Sequence, residues 1–156
     1  MLSEIYCTRN NIKRDKGLFY HLKQDLFDNI VLMSSDAGGF KPLMKLCKEL
    51  DWKGETYSAS KAREVDKLIQ VVNKEDFEGK DILLVDDICV YGGTFIGLAK
   101  LLKERNIGKL YLAVSHITVE NPNPKLFDLF DKIFTTDSKG LDYENKNLEI
   151  IKIFNT

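Results

Sequence analysis

Short hydrophobic runs alternate along this chain with segments that have the periodicity of amphipathic helices. Residues 29–33, 82–85 and 109–114 are apolar runs with the length of buried strands. Residues 42–50 and 94–105 come after the first two runs, and their apolar side chains recur at helical spacing. Buried strands separated by helices are typical of a mostly parallel sheet that is covered by helices on both faces. The pattern therefore predicts an α/β fold.

The remaining elements are weaker and complete the same alternation. The sequence predicts a strand at 4–7, a helix at 17–27, strands at 56–60 and 68–72, a short helix from Pro122 to about Phe130, and late strands at 132–135 and 148–154, the last of them at a sheet edge. A polar stretch that contains Lys61 and Arg63 separates the strands at 56–60 and 68–72. No repeat, low-complexity tract or linker interrupts the pattern, so residues 1–156 are expected to form a single domain.

Charge and cysteine content narrow the class of partner. The 23 basic and 24 acidic side chains give a net charge of −1, which does not favour nucleic acid or a membrane surface as the main partner. The sequence lacks an apolar run of about 20 residues and the apolar core of a signal peptide. Cys7, Cys47 and Cys89 are far apart and odd in number, which argues against a disulfide framework or a zinc site. We therefore expect a protein of the reducing cytoplasm.

The apolar run at 82–85 leads directly into residues that suit a sugar phosphate. Asp86 and Asp87 follow the run, and a short loop then closes on Gly92-Gly93-Thr94 before the next helix. Backbone N–H groups at a glycine turn and a helix N-terminus can bind phosphate. The two carboxylates can accept hydrogen bonds from ribose hydroxyls and help to hold Mg²⁺. The sequence therefore predicts a sugar-phosphate site with Asp86 and Asp87 as metal ligands.

A second segment rich in glycine follows the strand at 29–33. It reads Ser35-Asp36-Ala37-Gly38-Gly39 and also comes directly after an apolar run. Ligands of parallel sheets bind beyond the carboxyl ends of the strands. We therefore expect the two segments to lie at the same sheet edge and to hold the two ends of one ligand.

These segments resemble known sugar-phosphate sites. Residues 81–94 resemble the signature loop of the type I phosphoribosyltransferases, which binds 5-phosphoribosyl-1-pyrophosphate (PRPP). Residues 35–41 resemble the pyrophosphate-binding loop of the ribose-phosphate diphosphokinases, the enzymes that make PRPP. The resemblance implies that the substrate contacts Asp86, Asp87, Ile88, Cys89, Val90, Tyr91, Gly92, Gly93, Thr94, Asp36, Ala37, Gly38, Gly39 and Lys41. It also implies catalytic roles for Lys61 and Arg63, which fall where the diphosphokinases carry a basic, mobile loop.

The chain departs from the family pattern at three positions. Val90 stands where the family usually has Asp or Thr, and in some members that acid handles a proton on the incoming base. Tyr91 replaces a Thr whose hydroxyl binds the 5-phosphate, although an aromatic ring there offers a stacking surface. Pro42 stands where the diphosphokinases often have Arg. The backbone N–H groups are unaffected, so the sequence supports binding more directly than catalysis.

The resemblance spans about residues 29–154 of this chain and matches only the C-terminal half of the diphosphokinases. Three functions follow from it. The favoured one, within nucleotide metabolism, is a small Mg²⁺-dependent phosphoribosyltransferase that releases pyrophosphate from PRPP. The alternatives are a diphosphokinase-like half enzyme, which takes ribose 5-phosphate and needs a partner chain for ATP, and a non-catalytic regulator that binds PRPP or a nucleotide. The family also implies a homo-oligomer of at least two chains, with residues 1–28 as a hood over the base or an oligomerisation segment. His116 is expected to be hydrogen-bonded and structural rather than a catalytic base.

Overall fold

The computed structural model describes residues 30–64 and 67–152, and only the backbone of residues 62–64 and 67–70. The elements are β1 (Ile30–Ser34), α1 (Ala37–Glu49), β2 (Thr56–Ser58), β3 (Ser60–Glu64), β4 (Lys67–Val71), β5 (Asp81–Cys89), α2 (Gly93–Lys103), β6 (Leu110–Ile117), α3 (Pro124–Leu129), β7 (Lys132–Thr136), a 3₁₀ turn (Asp137–Lys139) and β8 (Leu148–Ile151). The predictions at 4–7 and 17–27 lie outside the described residues.

Six strands form one parallel sheet in the order β2-β1-β5-β6-β7-β8. Because every pair is parallel, the carboxyl ends of all six strands meet at one edge of the sheet. The prediction of a mostly parallel sheet is confirmed, and so is the edge position of the last strand, β8. Strands β3 and β4 form a separate antiparallel pair.

Helices cover both faces of the sheet, as the sequence predicts. On one face, α1 packs its buried Leu43, Leu46 and Cys47 into a core with side chains of β1 and β5. On the other face, α2 and α3 pack against alternate side chains of the same strands, with Phe95, Leu98, Leu102, Leu126 and Phe127 buried. Burying one such large apolar side chain contributes about 1.5–3 kcal/mol. These two cores hold the strands so that their carboxyl ends stay in register.

Helix α1 begins earlier than its sequence indicates. The prediction that Pro42 lies in the first turn is wrong, because the helix starts at Ala37 and Pro42 lies inside it. The Asp36 carboxylate accepts a hydrogen bond from the Gly39 N–H at 3.0 Å, which satisfies one of the free donors of the first turn. Residues 37–39 are therefore the first turn of a helix and not a loop.

The polar stretch with Lys61 and Arg63 is also different from its prediction. It forms strand β3, in which Lys61 lies opposite Gln70 and Arg63 lies opposite Leu68. The predicted strand at 56–60 ends at Ser58, since the chain changes partner from β1 to β4 after Ala59. None of the helices in the described part of the chain is long and apolar enough to cross a bilayer.

Candidate functional site

The carboxyl end of β5 extends past the end of its neighbour β1. Val85 pairs with Ser34, the last residue of β1, and β5 then continues for four residues beside β6 alone. Asp86 and Asp87 lie at this step and are half-buried. Each carboxylate is therefore anchored by a strand, while the side of β5 that faces away from β6 has lost its neighbouring strand.

Asp86 connects the two segments that follow β1 and β5. Its Oδ2 accepts a hydrogen bond from the Ser35 hydroxyl, and its Oδ1 accepts one from the Asp87 N–H at 2.7 Å. Ser35 is buried at 1% exposure. The expectation that the two segments lie at one sheet edge is confirmed. Ser35 was not among the predicted site residues, although its place at the start of the glycine segment is the signal that could have identified it.

The loop after β5 depends on a glycine at position 92. Gly92 is buried and has φ of 78°, in the left-handed region that side chains disfavour. A Cβ atom there would lie 2.5 Å from Cδ1 of Leu126 on α3. Gly92 is the N-cap of α2 and supplies no capping side chain. The N–H groups of the first turn, which includes Gly93 and Thr94, are therefore suited to an anion.

The remaining residues of this loop divide between solvent and core. Ile88, Val90 and Tyr91 are exposed, Tyr91 at 76%. Cys89 is fully buried among core side chains, and its carbonyl accepts a hydrogen bond from the Thr118 N–H at 3.1 Å. Burial, together with the negative charge of Asp86, raises the pKa of the Cys89 thiol to about 11. The predicted contact at Cys89 therefore does not use a thiolate, which would be the reactive form.

Strand β3 places a cation, Lys61, beside the N-terminus of α1. Asp36 Oδ2 lies 3.5 Å from the Lys61 ammonium, while its Oδ1 caps the helix. The backbone of Asp36 is held by Ser34 and Ser58, whose hydroxyls donate to its carbonyl at 2.9 and 3.1 Å. Of the other predicted contacts, Ala37, Gly38 and Lys41 are exposed on the first turns of the helix, and Gly39 is half-buried. The side chain of Arg63 is outside the described part.

His116 lies on β6 directly opposite Ile88. Its Nδ1 is hydrogen-bonded to the Ser138 hydroxyl, which also receives a hydrogen bond from Thr136 Oγ1 at 2.8 Å. Burial lowers the pKa of His116, Lys139 lowers it further, and Asp87 opposes the shift. These surroundings therefore favour the neutral form of the imidazole. It is hydrogen-bonded as expected, but its partner Ser138, 22 residues away, could not be recognised from the sequence.

A cavity of about 390 Å³ lies between the residues that follow His116 and those that follow Ser138. Residues 117–121, which follow His116, form one wall, and residues 139–142, which follow Ser138, form the other. Ile117 is also the residue that pairs with Cys89 in the neighbouring strand. One lining residue therefore lies beside the end of β5, whereas no residue of the loop after β5 lines the cavity. No predicted site residue lies in its lining.

The donor set at the step in β5 is compatible with Mg²⁺. Within the described part of the chain, no group of three His, Cys, Asp or Glu side chains could hold a metal by itself. Asp86 and Asp87 nevertheless offer two adjacent carboxylates. Mg²⁺ is usually bound by one or two carboxylates together with water and phosphate oxygens of the substrate. The residues therefore fit a metal that arrives with a phosphorylated ligand.

Sequence comparison matches this chain to one domain family and to enzymes that act on ribose phosphate. A model of the phosphoribosyl transferase domain matches residues 1–146. A ribose-phosphate pyrophosphokinase of Chlorobaculum tepidum is 35% identical over 125 residues, which cover 78% of this chain and 38% of that enzyme. One from Marinomonas sp. is 28% identical over 146 residues, which cover 92% of this chain and 46% of that enzyme. The chain thus spans about two fifths of the length of these relatives.

Solved structures with the same fold come from two enzyme types. Phosphoribosylpyrophosphate synthetase from Mycobacterium smegmatis superposes with a TM-score of 0.67 at 20% identity, over 86% of this chain and 44% of that one. A hypoxanthine phosphoribosyltransferase from Staphylococcus aureus gives a TM-score of 0.57 at 17% identity, over 100% of this chain and 77% of that one. At these identities the likeness is one of fold.

Proposed function

The chain belongs to the phosphoribosyl transferase domain family, and on this premise we propose that it binds PRPP at the carboxyl edge of its sheet. One observation carries the proposal. The Ser35 hydroxyl donates to Asp86, so the acidic end of β5 is tied to the segment that opens α1. A pair of carboxylates is thereby flanked by two helix N-termini, which is the charge pattern that a sugar carrying a phosphate at each end requires.

Each part of PRPP has a counterpart in this arrangement. The 5-phosphate is assigned to the backbone N–H groups from Tyr91 to Thr94, because the first turn of α2 has no capping side chain. The ribose hydroxyls are assigned to Asp86 and Asp87. The pyrophosphate is assigned to the first two turns of α1, where Lys41 is exposed and Lys61 lies beside Asp36.

Asp86 and Asp87 are the residues that would hold Mg²⁺. When bound, the ion neutralises part of the charge on the pyrophosphate and makes it a better leaving group. The two carboxylates have a separate task. Hydrogen bonds from the ribose hydroxyls to both of them fix the ribose ring in one orientation.

The reaction we propose is phosphoribosyl transfer. A nitrogen of the acceptor forms a bond to ribose C1 while the bond from C1 to the pyrophosphate oxygen breaks, and the electron pair of that bond leaves with the pyrophosphate. The proton of the acceptor nitrogen is released to solvent, because Val90 cannot accept it. Lys61 and Arg63 are assigned to the negative charge that grows on the leaving group, a role that stabilises the transition state more than the bound substrate.

A second candidate is favoured by the sequence comparison. The 35% identity to a ribose-phosphate pyrophosphokinase supports pyrophosphate transfer from ATP to ribose 5-phosphate at the same site. In that reaction ribose 5-phosphate replaces PRPP as the bound sugar, and a partner chain contributes to ATP binding. Both candidates assign the same roles to Asp86 and Asp87.

We also propose a cytoplasmic homo-oligomer in which each chain acts as one domain. The family resemblance supports the oligomer, because related enzymes often complete the site with a neighbouring subunit. Light scattering at tens of micromolar chain tests it. A dimer or larger particle is expected, and a monomer would refute it.

The two reactions are distinguished by their products. The protein is incubated with MgCl₂ and either PRPP plus a panel of nitrogen heterocycles, or ribose 5-phosphate plus ATP. We expect pyrophosphate release in the first mixture that depends on the heterocycle, and no AMP in the second. AMP formation from ATP would instead support the pyrophosphokinase, and binding of PRPP without turnover in either mixture would indicate a regulator.

A further inference from the structure

Strand β8 has a free edge at one side of the sheet. It is the last strand in the order of the sheet and pairs with β7 alone. The Ile133 N–H donates to the Asn147 carbonyl, and the register then turns the backbone groups of Glu149 and Ile151 toward β7. The N–H and carbonyl of Ile150 therefore point away from the sheet. An edge of this kind is a template for pairing with another strand.

The outward backbone groups are arranged symmetrically about Ile150. By the same alternation, the Leu148 carbonyl and the N–H of Lys152, which directly follows β8, also point outward. A second copy of β8 can lie antiparallel to the first, related to it by a two-fold axis beside Ile150. Each Ile150 N–H then donates to the other copy's Ile150 carbonyl, and each Lys152 N–H donates to the other copy's Leu148 carbonyl. Each kind of hydrogen bond therefore forms twice.

Registers that are shifted by two residues are less favourable. A two-fold axis beside Leu148 requires the Leu148 N–H, which already donates to the Asn145 carbonyl at 3.0 Å. An axis beside Lys152 places two ammonium groups directly opposite each other, which is destabilising. With the axis beside Ile150, the second copy's Lys152 lies opposite Leu148, and no like charges are opposed. The edge is therefore complementary to itself in one register.

A cavity of about 500 Å³ beside β8 complements the same pairing. It lies between Leu148 and Ile150 of the strand and residues 143–146, which precede the strand. Leu148, Ile150 and Lys152 share one face of the sheet, so the second copy's Lys152 extends over Leu148 toward Glu144. Glu144 and Lys152 are both exposed, and neither forms an ion pair with another described residue. The two-fold pairing supplies each of them with an opposite charge.

We propose that β8 pairs with β8 of a second copy of this chain, antiparallel and with Ile150 opposite Ile150, so that two sheets join into one. The occupant of the edge is a second copy because both the free backbone groups and the unpaired charges are matched by their own counterparts. The inference does not depend on the reaction, and it assigns an interface to the proposed oligomer. Strand β8 is three strands away from β5, so Asp86 and Asp87 stay accessible in this dimer.

Charge reversal tests the pairing. Sedimentation velocity of the full chain from about 1 µM to about 100 µM gives the dissociation constant of the dimer. Glu144→Lys and Lys152→Glu should each weaken the dimer by about five- to tenfold, because each replaces two symmetric ion pairs with like charges. The double variant should return to within about twofold of the parent, since it restores opposite charges. The matched control Glu104→Lys reverses an exposed charge outside the cavity and should keep the parent value.

Hydrogen exchange followed by NMR tests the backbone register. The N–H groups of Ile150 and Lys152 should become protected as the concentration rises through the dissociation constant. The Leu148 N–H, which is bonded within its own chain, should not change.

The outcomes separate the interface from the oligomer. A parent that stays monomeric at about 100 µM overturns both, and leaves the edge of β8 to a different protein. A dimer that resists both single charge reversals, that fails to recover in the double variant, or that leaves the Ile150 N–H unprotected associates through another surface. Any of these three results overturns the inference and leaves the oligomer standing.

Discussion

Replacement of Gly92 by Ala should destabilise the fold and disrupt the loop between β5 and α2. The left-handed backbone at φ of 78° costs a residue with a side chain about 1–2 kcal/mol. The new Cβ would also lie 2.5 Å from Cδ1 of Leu126, which is buried at 1% exposure. Movement of a packed side chain of this kind costs about 1–3 kcal/mol. We therefore expect the free energy of unfolding to fall by about 2–5 kcal/mol.

Gly93→Ala is the matched control, because it makes the same chemical change one residue later. A Cβ at position 93 meets no atom within 4 Å, and Gly93 has no positive φ. Ala is also favoured over Gly in a helix by about 1 kcal/mol, so this variant should be at least as stable as the parent. Unfolding in urea, followed by circular dichroism, gives both free energies from the midpoint and slope.

Comparison of the two alanine variants decides whether the turn has the geometry described. A loss of less than about 1 kcal/mol in Gly92→Ala, or similar losses in both variants, would show that position 92 does not need the left-handed conformation. At a temperature where both variants are folded, Gly92→Ala should also bind PRPP more weakly than Gly93→Ala. Equal affinities would contradict the assignment of the 5-phosphate to the first turn of α2.

Three further predictions concern other parts of the molecule. Lys61→Ala should lower turnover more than PRPP affinity in a pyrophosphate-release assay, whereas the exposed control Lys53→Ala should change neither. Equal losses in rate and affinity would show that Lys61 only attracts the anionic substrate. Ser35→Ala removes the hydrogen-bond donor to Asp86, so it should lower the free energy of urea unfolding by about 1–2 kcal/mol and weaken PRPP binding. PRPP affinity equal to that of the parent would contradict the connection between the two segments. Hydrogen bonds from Lys80, Tyr57 and Lys74 lower the pKa of Glu55 to about 2. The contribution of ionised Glu55 to the stability of the fold is therefore complete above its ordinary pKa of 4.5 and is lost as the pH falls toward 2. Between pH 7 and pH 3 the parent should therefore lose more unfolding free energy than Glu55→Gln, and equal losses would refute the role of this ion-pair cluster.

The sequence predicts the central strands β1, β5 and β6 well, because burial on both faces leaves a continuous apolar run. It does not predict where β5 ends. Asp86 and Asp87 interrupt the apolar pattern, but the strand continues to Cys89 because β6 still pairs with it on one side. Pairing with a neighbouring strand is a tertiary effect that a single run of residues does not encode.

Tertiary contacts also explain why the predictions for the start of α1 and for the stretch with Lys61 were wrong. Pro42 is a frequent signal for a first helical turn, yet the Asp36 side chain caps Gly39 and starts α1 earlier. The stretch with Lys61 is polar and resembles a loop, but it becomes a strand through its antiparallel pairing with β4. In the site, the segments after β1 and β5 were predictable from their glycines and acids. The contact between His116 and Ser138 was not, since it joins a side chain of β6 to one of the 3₁₀ turn that follows the neighbouring strand β7.

The central claim is that Asp86 and Asp87 hold the sugar of PRPP at the carboxyl edge of the sheet, and isothermal titration with PRPP and MgCl₂ tests it most directly. We expect saturable binding to the parent and to Asp51→Asn, a control that neutralises one exposed carboxylate. The variant Asp86→Asn with Asp87→Asn should bind at least about tenfold more weakly, since hydrogen bonds to charged groups contribute about 1.5–3 kcal/mol each. Circular dichroism should show that this variant remains folded. A folded double variant that binds PRPP as tightly as the parent would contradict the claim.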